Sequence, residues 1–198
     1  MPDLGTARWL ASADAADALA LARQAADGRD QLAAASWLRR RRPDLDPARA
    51  AALLEQAELA EVAARRYGVG RSLLLTRDGL EQATRPEIAA RRAAAFAAAG
   101  ARRVVDLTAG LGFDTRAFLV AGLEVVAVER DPVTAVLLAA NAPGATVLVD
   151  DALNALPTLL ADLSPHDIVF VDPARRDPTG FYTPDFVLRR ADGKHLVV

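Results

Sequence analysis

Carboxylates follow four short apolar segments in the second half of this 198-residue chain. They are Asp106, Glu129, Asp151 and Asp172. Each apolar segment is rich in valine or isoleucine, which predicts a buried strand that ends in an acid. A solvated strand end is the commoner explanation for any one of these acids, but four in succession favour a function. Because ligands of open α/β folds bind at the carboxyl edge of the sheet, we expect these acids to line a ligand site.

A glycine-containing turn starts at the first of these acids, with the sequence DLTAGLGFD from Asp106 to Asp114. Gly110 and Gly112 allow a ligand to approach the backbone, and the helix that follows offers free N–H groups. Glu129 comes about twenty residues after Asp106, the spacing at which a carboxylate accepts both ribose hydroxyls of a nucleoside. Chain geometry alone explains two glycines in a tight turn equally well.

Two classes of cofactor fit a glycine turn followed by such an acid. A dinucleotide site has the pattern G-x-G-x-x-G and keeps carboxylates away from the pyrophosphate. Here Thr115 stands at the third glycine position, while Asp106 and Asp114 flank the turn. These acids favour a cationic or zwitterionic ligand, such as the aminoacyl sulfonium end of S-adenosylmethionine. A nicotinamide-dependent oxidoreductase is the alternative on the same fold.

Three motifs of the chain resemble the successive motifs of Rossmann-like S-adenosylmethionine-dependent methyltransferases. They are Asp106–Asp114, Glu129–Pro132 and Asp172–Arg176. The chain resembles in particular a bacterial family with a THUMP-like C-terminal domain, whose turn is similar to that of small-subunit ribosomal RNA guanine-N2 methyltransferases. The resemblance spans about Leu73 to Arg176. It includes Gly79–Thr84, a segment that precedes the catalytic domain in such proteins and helps to close the cofactor pocket.

The resemblance implies a role for each matching residue on the cofactor side. Asp106, Gly110 and Gly112 would surround the methionine part of S-adenosylmethionine. Glu129 would hold the ribose, and Asp151 would face the amino group of the adenine. We also expect two further residues of the turn, Thr108 and Asp114, to bind the cofactor.

On the acceptor side, the resemblance implies that Asp172 and Pro173 present the atom to be methylated. Many amino-methyltransferases continue with a second proline and an aromatic residue that stacks on a flipped base. Ala174 and Arg175 replace these two residues, which lowers the support for adenine-N6 methylation. Arg175 and Arg176 would stand beside the reactive edge, where they either contact the phosphates of an RNA substrate or have a structural role. We therefore expect methyl transfer to a nitrogen, in RNA.

The catalytic domain is expected to be partial. Related folds continue for three more strands after the fourth, whereas Ala174–Val198 make up the rest of this chain. An inactive cofactor-binding or RNA-binding fragment is therefore the alternative to an active enzyme.

The composition of the first half predicts helices that precede the strands. The range Ser12–Gly68 is built of Ala, Leu, Arg, Glu and Gln without β-branched runs. One helix is expected from Pro47 to Tyr67, and another from Arg85 to about Ala99; Thr76–Gly79 is expected to break the pattern between them. The fold class is thus α/β: a mainly parallel Rossmann-like methyltransferase core over 79–198, preceded by a helical domain over 1–78.

The core itself is expected to alternate strands with helices. The predicted strands are Arg103–Leu107, Leu123–Glu129, Ala145–Val149 and Asp167–Val171. The predicted helices between them are Asp114–Ala121, Pro132–Asn141 and Ala152–Leu163. Near-continuous apolar strands that alternate with helices are typical of a parallel sheet covered on both faces.

Charge and cysteine content exclude several classes of function. The net charge is −2, from 24 basic and 26 acidic residues, so any binding of nucleic acid must come from a local patch. Arg39–Arg42 is the densest basic run, and it is either a solvated helix end or a phosphate-binding patch. The chain has no cysteine, which excludes disulfides, thiolate metal sites and a cysteine nucleophile, including the covalent route to pyrimidine C5.

Metal binding and membrane insertion are not expected from the sequence. His166 and His195 are too few and too peripheral for a metal site. The first ten residues contain no basic n-region with an apolar run, and no unbroken apolar stretch approaches the roughly 18 residues that span a bilayer. A cytoplasmic location is therefore expected.

Overall fold

A parallel sheet of four strands forms the centre of the part that the computed structural model describes, residues 1–69 and 72–172. The strands are β1 (Arg103–Asp106), β2 (Glu124–Glu129), β3 (Thr146–Val149) and β4 (Asp167–Phe170). They lie in the order β3-β2-β1-β4, and every neighbouring pair is parallel. The predicted parallel α/β architecture is confirmed.

Helices cover both faces of the sheet, as expected for near-continuous apolar strands. The helices from residue 86 onward are α6 (Pro86–Ala98), α7 (Phe113–Val120), α8 (Pro132–Asn141) and α9 (Ala152–Ala161). Val104 of β1 packs in a cluster with Phe96 of α6 and Phe118 of α7. The next residue, Val105, packs on the other face with Leu156 of α9. The alternation follows from the two-residue period of a strand.

The N-terminal helices are packed through alanine. They are α1 (Leu4–Leu10), α2 (Ala16–Ala26), α3 (Gln31–Arg41) and α4 (Pro47–Tyr67), with a 3₁₀ turn at Ala13–Ala15. On α2, Ala18, Ala22 and Ala25 lie on one face and are fully buried. Side chains this small bring α2 close to α4, which packs against it.

Helix α4 has the boundaries that the sequence predicts. Asp46 caps its first turn by accepting the N–H of Arg49 at 2.8 Å, and Pro47 is the first helical residue. Gly68 ends the helix in the left-handed conformation with φ +62°.

The region where a break was expected contains a further short helix, α5 (Arg77–Glu81). The expected break is therefore wrong: Thr76 accepts the N–H of Gly79 at 3.1 Å and so starts a turn of helix. The proposed boundary between residues 78 and 79 falls inside α5. Leu53 of α4 belongs to the same buried cluster as Leu111 of the glycine turn and Leu137 of α8. The division into two domains stays a prediction.

The segment before α5 is buried without belonging to the sheet. Its residues Leu73 to Thr76 are all buried. The side-chain amide of Gln56 donates to the carbonyl of Leu75 at 2.7 Å and accepts its N–H at 2.8 Å. Asn141 makes the same pair of bonds to Leu74, at 2.8 and 2.7 Å. Two amide side chains thus satisfy backbone groups that would otherwise be unpaired.

The arginine run lies at the end of α3, where cations oppose the helix dipole. Arg41 places its guanidinium 3.8 Å from the ring centre of Trp37, and Arg42 pairs with Asp44 at 2.7 Å. These contacts agree with a solvated helix end, and the phosphate-binding patch stays a prediction. No helix within residues 1–69 and 72–172 is both long enough and apolar enough to cross a membrane.

Replacing Gln56 by leucine is expected to lower the free energy of unfolding by about 2–6 kcal/mol. The buried N–H and carbonyl of Leu75 would each lose their partner, at about 1–3 kcal/mol apiece. Urea denaturation followed by circular dichroism measures the effect. Gln24→Leu, on the exposed side of α2, is the matched control and should change stability by no more than about 0.5 kcal/mol. Equal stability of the two variants would contradict the role assigned to Gln56.

Candidate functional site

The four acids predicted at strand ends all lie at the carboxyl edge of the sheet. Asp106 and Glu129 are the last residues of β1 and β2, as predicted. Asp151 and Asp172 each lie two residues beyond the last residue of β3 and β4. The expectation that all four end a strand is therefore wrong for these two. The reason is the register of the strand pairs. The pairing of β3 with β2 ends at Val149 opposite Glu129, and the pairing of β4 with β1 ends at Phe170 opposite Asp106.

Asp106 is buried at the bottom of the glycine turn. Its carboxylate accepts the hydroxyl of Thr115 at 2.8 Å and the N–H of Thr108 at 3.2 Å. Burial raises the pKa of Asp106 to about 7, and the nearby charges of Asp114 and Asp172 act in the same direction. Thr115, which departs from the dinucleotide pattern, therefore holds the carboxylate that begins the motif.

Glu129 binds the turn from the neighbouring strand. One oxygen of its partly buried carboxylate accepts the N–H of Gly110 at 3.1 Å, and the other accepts the N–H of Asp131 at 2.8 Å. Burial raises the pKa of Glu129 above its ordinary value. The carboxylate predicted to hold a ribose thus stands against the glycine turn. Each oxygen keeps a lone pair that these two bonds do not use.

Gly110 and Gly112 are suited to their positions in the turn for different structural reasons. Both have positive φ, +53° at Gly110 and +85° at Gly112. A Cβ on Gly112 would lie 2.5 Å from Cδ1 of Leu138, so a side chain there would force this buried leucine of α8 to move. A Cβ on Gly110 would meet no protein atom within 4 Å. The turn is therefore packed at Gly112 and open at Gly110, where a ligand can approach the backbone.

Arg92 of α6 joins two of the acids and was not identified from the sequence. Its guanidinium is ion-paired and hydrogen-bonded to Asp114 at the start of α7. A second nitrogen lies 3.6 Å from the carboxylate of Asp172, and the group lies 4.6 Å from the ring centre of Phe170. Nothing in the sequence distinguishes it from the adjacent Arg91. Only the packing of α6 against α7 brings it to the site.

Thr108 and Asp172 connect the loops after β1 and β4. The N–H of Asp172 donates to the hydroxyl of Thr108 at 2.8 Å. The side chain of Asp172 is 44% exposed, so it is accessible to an acceptor. The predicted residues Pro173, Arg175 and Arg176 lie outside the described residues.

Asp151 has a local structural role, and its predicted role beside the adenine stays a prediction. It is the N-cap of α9 and accepts the N–H of Leu153 at 2.9 Å. Its position at the end of β3 places it at the same sheet edge as Glu129. Across residues 1–69 and 72–172, no group of three potential His, Asp or Glu ligands is arranged to hold a metal ion.

The stability of the protein is expected to depend on pH through Asp106. Its pKa of about 7 in the folded protein exceeds the value near 3.9 of an unfolded chain. The folded state therefore binds the proton more tightly, and stability is lost as pH rises from about 4 through 7. Relative to Asp106→Asn, the wild-type free energy of unfolding should fall by up to about 4 kcal/mol over that range, measured by urea denaturation.

Asp167→Asn is the control for this measurement, because the pKa of Asp167 is shifted in the opposite direction from that of Asp106. Burial raises the pKa of Asp167, but hydrogen bonds from Ser164 and Arg103 outweigh it and hold that pKa below the ordinary value. The stability that this ionised carboxylate contributes is lost only as pH falls below about 4. Between pH 5 and 8 the stability of Asp167→Asn should therefore run parallel to that of the wild type. If Asp106→Asn also runs parallel over this range, the raised pKa of Asp106 is wrong.

Comparison with known proteins identifies the fold. No protein-family model matches the chain, and no curated protein matches it significantly. A crystal structure of a protein from Porphyromonas gingivalis W83, assigned as a methyltransferase, is similar with a TM-score of 0.58 and 26% identity over 81% of this chain. An S-adenosylmethionine-dependent methyltransferase of Neisseria gonorrhoeae aligns over 58% of the chain with 28% identity and a TM-score of 0.37.

The chain spans 41% and 45% of the lengths of these two proteins. The parallel order of the strands and the likeness to the first of them agree with the fold expected from the motifs. The chain therefore has the mixed α/β fold of the Rossmann-like methyltransferases.

Proposed function

We propose that the chain binds S-adenosylmethionine at the glycine turn and takes part in methyl transfer to a nitrogen atom of RNA. The observation that carries this proposal is the open side of the turn at Gly110, which lies directly against the carboxylate of Glu129. When bound, S-adenosylmethionine supplies a methyl group activated by the positive sulfur. The similarity to the methyltransferase of Porphyromonas gingivalis supports the same reaction class.

The residues of the turn fit the two polar ends of this cofactor. Glu129 is positioned to accept ribose hydroxyls with its remaining lone pairs. As the sequence resemblance implies, Asp106 and Gly112 would lie beside the methionine part, and Asp151 would face the adenine. A ligand cation near Asp106 would favour the ionised carboxylate that burial now opposes. Asp106 is therefore suited to a cationic ligand and unsuited to a pyrophosphate.

The chain's contribution to the reaction would be alignment of the acceptor and control of its proton. Methyl transfer needs the acceptor nitrogen in line with the methyl carbon and water excluded from the gap. Asp172 is exposed at the mouth of the turn, and its backbone is held by Thr108. Its carboxylate would orient the acceptor N–H group and accept the proton that the nitrogen loses. Pro173 would continue this acceptor loop.

The RNA substrate and the THUMP-like family are proposals that rest on sequence. Arg175 and Arg176 follow Asp172 and Pro173 directly, in a chain with no overall positive charge. Such a pair beside the acceptor would bind phosphates of RNA. The resemblance of the turn DLTAGLGFD to methyltransferases that act on ribosomal RNA supports a nitrogen of a base as the acceptor.

Calorimetric titration of the chain with S-adenosylmethionine, its demethylated product and NAD tests the cofactor. We expect micromolar binding of the first two. Glu129→Ala should weaken that binding by about 1–3 kcal/mol, because the ribose hydroxyls lose a charged acceptor. Glu124→Ala, at the exposed opposite end of β2, is the matched control and should bind as the wild type does. Binding of NAD without binding of S-adenosylmethionine would replace this proposal with an oxidoreductase.

Methyl transfer to bulk RNA, followed with radiolabelled S-adenosylmethionine, tests the role of Asp172. Asp172→Ala should lower the rate far more than it lowers cofactor affinity, because the lost contact is on the acceptor side. Asp162→Ala is the control: this carboxylate also pairs with an arginine, Arg103, at 2.9 Å, but at the opposite edge of the sheet. Equal losses of rate and affinity in Asp172→Ala would make Asp172 a cofactor-binding or structural residue.

A further inference from the structure

One side of α3 and its C-terminal end carry a concentration of arginines. Residues 29–42 contain five arginines and one acid, in a chain whose net charge is −2. The acid is Asp30, which lies at the opposite end of α3 from the arginine run and caps the helix by accepting the N–H of Ala33 at 2.8 Å. We call Arg29 and Arg39–Arg42 the arginine surface. It belongs to the N-terminal helices, because α3 packs against α2 and α4.

Trp37 brings two arginines from different parts of this segment onto the same side of α3. The guanidinium of Arg41 lies 3.8 Å from the ring centre of Trp37, and that of Arg29 lies 5.1 Å from it. Arg29 also donates to the carbonyl of Gln24 at 2.8 Å, so it is held at the end of α2. Because cations already contact the ring, this side of α3 favours contacts to phosphates over stacking of a base.

The helix dipole accounts for only part of this charge. A helix C-terminus is equivalent to about half a negative elementary charge, whereas the run Arg39–Arg42 brings four positive side chains to it. Asp44 pairs with Arg42 at 2.7 Å. No carboxylate within residues 1–69 and 72–172 forms an ion pair with the other three arginines of the run. The positive charge therefore exceeds what a solvated helix end requires.

A shallow cleft on the arginine surface has the donors of a phosphate contact. Ser36, Arg39 and Arg40 line it. Residues three and four apart lie on the same side of a helix, so the hydroxyl of Ser36 and the two guanidinium groups share one opening. Both arginines are exposed. The arginine fork matches the geometry of phosphate oxygens, and a serine hydroxyl can donate to the same group.

An extended polyanion fits this surface better than a membrane does. Binding to a lipid surface needs apolar side chains beside the cations. The large apolar side chain exposed on α3 is Leu32, which lies at the end of the helix away from the arginine run. The arginine surface instead follows the helix over about 16 Å, and so offers cations to several phosphates in succession.

We propose that the arginine surface of α3 binds the phosphate backbone of an RNA without reading its bases. This inference rests on the proposed function for the identity of the polyanion, and it adds a second contact area on the N-terminal helices. Phosphate contacts determine position and affinity, and they carry no sequence information. The arginine surface thus holds the RNA, and selection of the acceptor nitrogen is left to the carboxyl edge of the sheet.

The salt dependence of RNA binding tests the arginine surface. Fluorescence anisotropy measures the affinity of the full chain for a labelled single-stranded RNA of mixed sequence, at several salt concentrations and without cofactor. The double variant Arg39→Gln, Arg40→Gln should bind about tenfold or more weakly. The slope of log affinity against log salt concentration should become shallower by about 1–2, because each lost phosphate contact removes a slope of about 0.7.

The double variant Arg65→Gln, Arg66→Gln is the matched control. It makes the same change of charge at exposed arginines in the last turn of another helix, α4, and should keep the wild-type affinity and slope. Arg39→Lys with Arg40→Lys keeps the charge and should keep the slope, so the slope reports charge and not fold. Circular dichroism should show that all three variants are folded, because the replaced side chains are exposed.

The inference is overturned if the wild type does not bind the RNA, or if the Arg39, Arg40 glutamine variant and the control give the same slope. Binding to vesicles of anionic lipid without binding to RNA also overturns it. Calorimetric titration with S-adenosylmethionine separates these outcomes from the proposed function. Normal cofactor binding with an unchanged salt slope overturns this inference alone, whereas the expected change of slope in a chain that binds no cofactor overturns the proposed function alone.

Discussion

The hydrogen bond from Thr115 to the buried carboxylate of Asp106 is the contact on which the geometry of the site depends. It ties the first turn of α7 to the end of β1 and so determines the course of the residues between them. The path of these residues then places the N–H of Gly110 against the carboxylate of Glu129 on the next strand. Because Asp106 is buried, the protein loses stability when this carboxylate is charged. A site that needs the charged form must therefore recover this free energy from its ligand.

The same turn is also held from the side of the N-terminal helices. Asn141 of α8 binds the carbonyl of Leu111 at 3.0 Å as well as both backbone groups of Leu74. Gln56 of α4 binds the next residue of the same buried segment. The helices before the sheet are thus connected to the turn by amide side chains, and a change in either amide reaches both parts of the chain.

Sequence patterns predicted what local chemistry determines. The four strands and helix α4 were predicted within a few residues, because valine-rich runs, an Asp-Pro cap and a terminal glycine act within one element. The role of Arg92 was not predicted, because its significance depends on how α6 packs against α7 and β4. The amides of Gln56 and Asn141 were missed for the same reason: their partners are 19 and 67 residues away in sequence. Helix α5 was missed because Asp78-Gly79 is typical of a turn, whereas the cap at Thr76 stabilises a helix.

The alanine face of α2 has a thermodynamic consequence for this half of the molecule. Alanine loses no side-chain rotamer entropy on burial, so the packing of these helices through alanine costs little side-chain conformational entropy. Each alanine also exposes little apolar area when the chain unfolds, and the heat-capacity change of unfolding scales with that area. A bundle built on Ala18, Ala22 and Ala25 therefore has a flatter stability curve than one built on leucine. Its stability varies less between cold and warm conditions.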